Sequence, residues 1–133
     1  PVCNDDSNGD VNNSSVVFEI VCRDFSGLFT GDIEFAAEEK LLENESFNNS
    51  VYNFLKVAHH GSRGSSSDVF LKEVKPQIAA ISAGKNNRYG HPHKEALERL
   101  SKTGARVYCT KNAGAITVTY DNKRSVKIRQ MNT

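Results

Sequence analysis

Two short apolar runs constrain the fold most. In VYNFLKVAHH, residues 51–60, Phe54, Leu55, Val57 and Ala58 leave little room for a solvated face, and QIAAIS, residues 77–82, is a second short apolar run. Successive side chains on a strand point to opposite faces, so a strand wetted on one side alternates apolar and polar residues. A run without alternation needs cover on both faces, as an inner strand of a layered α/β sheet has.

The neighbouring segments supply that cover. Residues 16–30 read as a hairpin, with Val16, Val17, Phe18, Ile20 and Val21 on the first strand, Gly27 to Thr30 on the second, and turn chemistry from Asp24 to Gly27. Ile33 to Asn44 is predicted helical, with Phe35, Ala36, Leu41 and Leu42 buried and Glu38 and Glu39 exposed. Ser65 to Ser67 offer N-caps for a helix over Asp68 to Lys75, which Pro76 ends. A further helix is predicted over Lys94 to Lys102, with Leu97 and Leu100 inward and Gly104 as its stop. ARVYCT, GAITVTY and SVKIRQM are three closing strands, the last two joined by a turn at DNKR. The order ββ-α-β-α-β-α-β-β-β is that of a layered α/β domain.

Residues 16–133 form one domain on this reading, and residues 1–15, rich in Asn, Asp, Ser and Gly, form a flexible lead-in. Asp5, Asp6 and Asp10 lack the order of an EF-hand, so a solvated loop is expected there. The net charge of +1 gives no global drive toward nucleic acid or membrane. No apolar run is long enough to span a bilayer, and no signal peptide opens the sequence. The three cysteines lack C-x-x-C spacing and suit neither a zinc knuckle nor a disulfide framework; Cys22 and Cys109 are expected as small buried strand residues.

Three polar clusters fall where strands should end: Thr30-Gly31-Asp32, His59-His60-Gly61-Ser62, and residues 86–91, Asn-Asn-Arg-Tyr-Gly-His. Neighbouring histidines on a strand would face apart. They share a task only if the strand has ended and the chain turns, which Gly61 permits. Carboxylate oxygen and imidazole nitrogen from separate strand ends can converge on one metal ion. Taken singly, Asp32 reads as a helix N-cap and the histidines as a polar strand end.

The stretches SSVVFEI…GLFTGDIE, the run from Leu55 to Leu100 containing HHGS and GKNNRYGHPH, and GARVYCTKNAGAITVT together resemble the metallo-β-lactamase-type domain at the C-terminal end of ComEC-type competence proteins. The resemblance runs from about Asn12 to about Tyr120. It implies half of an αββα sandwich, a mixed sheet with helices on one face. It implies Asp32 and His60 as metal ligands and His59 as a group that supports the ligands or as proton donor to the leaving group, with Ser62, Asn87, Tyr89 and His91 lining the substrate side. The implied cofactor is a divalent metal, zinc or manganese, in the intact protein. The family's His-x-His-x-Asp-His motif is absent, and His91-Pro92-His93 is the only His-x-His. Two ligands make no tight catalytic site, so this chain alone is expected to hold no metal firmly and to be inactive. The rest of the site would come from a missing N-terminal half or a second copy of the chain, and the sheet face meeting it would be apolar.

The implied activity is metal-dependent phosphodiester hydrolysis of a nuclease type, in a bacterial protein secreted or on the outer side of the cytoplasmic membrane; outside that resemblance a cytoplasmic place is open. A second reading is a non-catalytic module for single-stranded DNA, in which Arg63, Lys85 and Arg88 meet phosphates and Tyr89 is the lone stacking aromatic. A third is a structural domain whose histidines close strand ends.

Overall fold

The computed structural model describes residues 11–44, 47, 51–121 and 125–131. The elements run β1 (Phe18–Cys22), β2 (Phe25–Phe29), α1 (Phe35–Glu43), β3 (Phe54–Lys56), α2 (Asp68–Val74), β4 (Ile78–Ile81), α3 (Lys94–Lys102), β5 (Arg106–Cys109), α4 (Thr110–Ala113), β6 (Ala115–Tyr120) and β7 (Val126–Met131). Strands β1 to β5 form one sheet in chain order. The β1–β2 pair is antiparallel, and β2 to β5 are parallel. Strands β6 and β7 form a separate antiparallel hairpin.

The register separates the two faces. Leu28, Leu55 and Ala79 lie side by side across β2, β3 and β4, and with Ile81 they meet Phe70, Leu71, Val74 and Leu100 of the helices. On the opposite face Phe54, Ile78 and Ala80 meet Val118, Val126 and Ile128 of the hairpin. The molecule is therefore an α/β sandwich with helices on one face of a mixed sheet and its own two-stranded hairpin on the other. Both inner strands are covered twice, as their unbroken apolar sequence requires: β4 is buried along its whole length.

The far face was expected to be open, or closed by a second copy. The hairpin covers most of it instead, leaving Phe18 and Ile20 half-exposed on β1, with the Phe18 ring stacked 4.8 Å from that of Phe29.

Other expectations need correction. The hairpin turns two residues early, at Arg23 and Asp24, so β2 starts at Phe25. Strand β3 is only three residues long, and the histidines lie beyond it. On α1, Phe35 and Ala36 are exposed whereas Glu38 is fully buried. On α3, Leu97 is exposed and Ala96 takes the inward place beside Leu100. Cys22 is exposed at the end of β1, Cys109 is half-buried, and Cys3 lies outside the described residues. The short helix α4 went unforeseen. Residues 1–10 of the anticipated lead-in and residues 122–124 of the DNKR turn also lie outside the described residues.

Candidate functional site

The site is built at one edge of the sheet. Residues 30–34 come after β2, residues 57–62 after β3 and residues 82–93 after β4. These are the carboxyl ends of three adjacent parallel strands, the edge at which open α/β sheets bind ligands. Backbone bonds stitch the loops together. His59 N donates to Gly31 O at 3.1 Å and His93 N donates to Gly61 O at 2.9 Å.

The first loop is held from below. Thr30 is fully buried and its hydroxyl donates to Lys56 O at 2.7 Å. Residues just outside the sheet fasten the other side: Asp32 N donates to Ser15 Oγ at 3.1 Å, and Glu34 N donates to Asn13 Oδ1 at 2.8 Å. Asn13 and Ser15 thus belong to the fold, and Val11–Ser14 form a 3-10 turn. Gly31 has φ +54, and a Cβ there would stand 2.7 Å from Ser15 Cβ.

The histidine pair turns by itself. His59 has φ 44 and ψ 46, His60 has φ 55 and ψ 20, and Gly61 comes next with φ +79. A left-handed non-glycine residue costs about 1–2 kcal/mol, and such strain persists only where the surroundings impose it. The turn splits the two rings. His60 Nδ1 lies 2.6 Å from Ser82 O, so that nitrogen donates and Nε2 is the one turned to the site. Nε2 faces Asp32 Oδ1 at 3.7 Å, both side chains being about half-exposed. His59 Nδ1 lies 2.9 Å from Glu34 Oε1, a carboxylate that holds the ring in place.

The third loop closes the cluster. His91 is buried, its ring centroid 5.5 Å from that of His59, 6.1 Å from that of His60 and 4.7 Å from that of His93. Burial, reinforced by the neighbouring imidazoles, holds His91 below the ordinary histidine pKa. All four histidines of the sequence thus gather at one edge. His93 accepts from Arg63 N through Nδ1 at 3.0 Å, and its Nε2 lies 3.1 Å from Tyr89 O. Asn87 ties the loop internally, donating to Gly84 O and His91 O and accepting from His91 N. Tyr89 is exposed, its ring 5.8 Å from His91 and 5.4 Å from the Arg88 guanidinium carbon. Ser62 is buried and its hydroxyl accepts from Gly64 N, a turn-closing position.

Three further groups went unnoticed in the sequence. Glu34 stands two residues after Asp32. Lys56, whose pKa burial lowers against the pull of Asp32, sits on β3 beside the site. His93 braces the loop after β3. Only their nearness to the motifs hinted at them, because each acts through a residue far away in sequence: His59 for Glu34, Asp32 for Lys56 and Arg63 for His93. For a metal, Asp32 Oδ1 and His60 Nε2 are of the right types, and the Ser82 carbonyl fixes the tautomer that a ligating imidazole needs. Among the described residues no group of three or more His, Cys, Asp and Glu side chains is placed to hold a metal ion. The donors fit one shared edge of a site and do not complete it.

Comparison with known proteins finds competence proteins among the relatives of this chain. ComE operon protein 3 of Bacillus subtilis is 41% identical over 112 residues, which cover 84% of this chain and 14% of that protein. Competence protein ComA of Neisseria gonorrhoeae is 36% identical over 82% of this chain and 16% of its own length. Recombination protein 2 of Haemophilus influenzae is 34% identical over 81% of this chain and 13% of its own. The chain thus spans only about one-seventh of the curated relatives it matches. No family model and no solved structure matches it.

Proposed function

We propose that this chain, whose homologues are competence proteins, supplies one edge of a metal-dependent phosphodiesterase site of the metallo-β-lactamase type, acting on DNA during uptake. The supporting observation is the division of labour in the histidine pair. His60 presents Nε2 toward Asp32, while His59, one residue away, is held by Glu34. In this reading Asp32 and His60 are ligands to a zinc or manganese ion, and the remaining ligands come from residues outside this chain or from a second copy. The bound metal would supply an activated water and neutralise phosphoryl charge.

The chain's own residues do the rest. Hydrolysis adds water across a P–O bond, and the departing sugar oxygen needs a proton. His59 is placed to donate it from Nε2 while Nδ1–H stays on Glu34. The exposed Tyr89 and Arg88 would meet a base and a phosphate of the substrate.

The test is metal content and hydrolysis of a single-stranded oligonucleotide by the full-length protein. His60→Ala and Asp32→Asn should lose both metal and activity. His59→Ala should keep the metal and lose about 10²–10⁴-fold in kcat. A full-length protein with neither metal nor hydrolysis would sink the proposal and favour a non-catalytic DNA-binding or structural domain.

A further inference from the structure

A second charged feature lies away from the histidine edge. Between α2 and α3 a cavity of about 260 Å³ is lined by Lys72, Lys75, Arg99 and Lys102, with Asp68, Leu71 and Thr103 completing it. Four cations face one carboxylate, a local excess of +3 in a chain whose whole net charge is +1. The carboxylate is engaged already: Lys102 Nζ lies 3.5 Å from Asp68 Oδ1. Lys72 and Lys75 are exposed and their ammonium groups have no such partner among the ion pairs of the described residues.

Arg99 ties the wall of this groove to the loop that follows the histidine pair. Its guanidinium donates to Ser66 O at 2.8 Å, Ser65 O at 2.9 Å and Arg63 O at 2.8 Å. Arg63 N in turn donates to His93. Helix α3 runs from its N-cap His93, beside the cluster, to Lys102, beside the groove. That is nine residues, about 14 Å at ~1.5 Å per residue. Exposed Arg63 lies between, and the acids along α3 are Glu95 and Glu98, the latter 3.3 Å from Lys94 Nζ.

We propose that the α2–α3 groove is a second phosphate subsite, which takes the backbone of the same DNA strand whose scissile bond lies at the histidine edge. The groove supplies backbone affinity with no base reading, because its cations are flexible ammonium groups and its floor is Leu71. The separation of about 14 Å along α3 requires a strand of several nucleotides to reach both places. The proposal rests on the phosphodiester reading for the histidine edge, and its test separates the two.

The experiment is fluorescence anisotropy of the full-length protein with single-stranded oligothymidylate, at salt from about 50 to about 200 mM. Each phosphate contact on a single strand contributes ~0.7 to the log–log salt slope. The triple variant Lys72→Glu, Lys75→Glu, Lys102→Glu should lose about 2 units of slope, so that wild-type affinity falls about twentyfold more than the variant's over that range. The neutral triple variant to Gln should show the same loss, which separates lost contacts from introduced repulsion. A dinucleotide should bind wild type and variants alike, whereas an oligomer of about eight nucleotides should discriminate them. Asp32→Asn should abolish hydrolysis, and adding the triple substitution to it should still remove about 2 units of slope. Unchanged slope in both triple variants overturns the groove, even if metal-dependent hydrolysis is found. A lost slope without hydrolysis in any protein supports the groove and overturns the catalytic reading alone. If the triple variants lose binding to phosphatidylglycerol vesicles and keep oligonucleotide binding, the groove serves a lipid surface and the proposal falls.

Discussion

Glu38 gives the sharpest test of how the site is supported. Its side chain is fully buried on α1, and its two oxygens accept from the backbone N–H groups of Ser66 and Ser67, the latter at 2.9 Å. Ser66 is itself fully buried and has φ +57, so no water can replace that acceptor without local opening. Glu38→Ala leaves the Ser66 donor unsatisfied at about 1–3 kcal/mol. The half-buried Ser67 donor adds about 0.5–1.5 kcal/mol. Relief of the carboxylate's own desolvation offsets part of this, so the expected loss is about 2–3 kcal/mol. In a domain of this size that lowers the melting temperature by roughly 10 °C.

Arg99 grips the same segment from the other side through the carbonyls of residues 63, 65 and 66. Urea denaturation of Glu38→Ala, Arg99→Ala and the double variant should therefore give a coupling energy above about 0.5 kcal/mol. A loss below about 0.5 kcal/mol for Glu38→Ala, or strict additivity in the cycle, would refute the view that these two charges jointly clamp the loop after the histidines.

Burial is the main cause that raises the Glu38 pKa above 4.5. The native state then binds the proton more tightly than the unfolded chain, so Glu38's contribution is complete below pH 4.5 and is lost as pH rises through its folded value. Stability measured against pH should fall in that window more steeply for wild type than for Glu38→Gln, and parallel curves would contradict the assignment. Gly61→Ala puts a Cβ 2.7 Å from Pro92 Cβ at φ +79, so a loss of about 2–4 kcal/mol is expected by thermal melting, with the His91–His93 loop displaced in chemical-shift maps. Leu100→Ala should cost about 2–5 kcal/mol, and Leu97→Ala, at an exposed position, less than about 1 kcal/mol. Equal losses for the two leucines would place the core on the wrong face of α3.

The layered α/β class, the strand order and most element boundaries are legible in the sequence because they rest on short-range rules. An unalternating apolar run needs two covers, Ser67 caps the helix it precedes by accepting from Phe70 N, and Gly104 at φ +76 ends α3. The three polar clusters are legible for the same reason, since each is the polar stretch at which a strand gives out. Burial on short helices was read less well. The five apolar residues among the nine of α1 are spread around the helix and fix no single face, and the buried position went to Glu38 because two backbone donors 28 and 29 residues away needed an acceptor.

The linear chain determines by itself most strands and the three longer helices, and that Asp32 and the histidines stand at strand ends. Tertiary structure alone decides that the β6–β7 hairpin covers the far face of the sheet, since two strands of alternating pattern could lie against any apolar surface. It also decides the work of each histidine. Adjacent imidazoles are chemically identical in sequence; they differ only once folded, when Glu34 and the Ser82 carbonyl, 25 and 22 residues away, each take one Nδ1. A hydrogen bond across strands assigns the proton, and no local pattern encodes that choice.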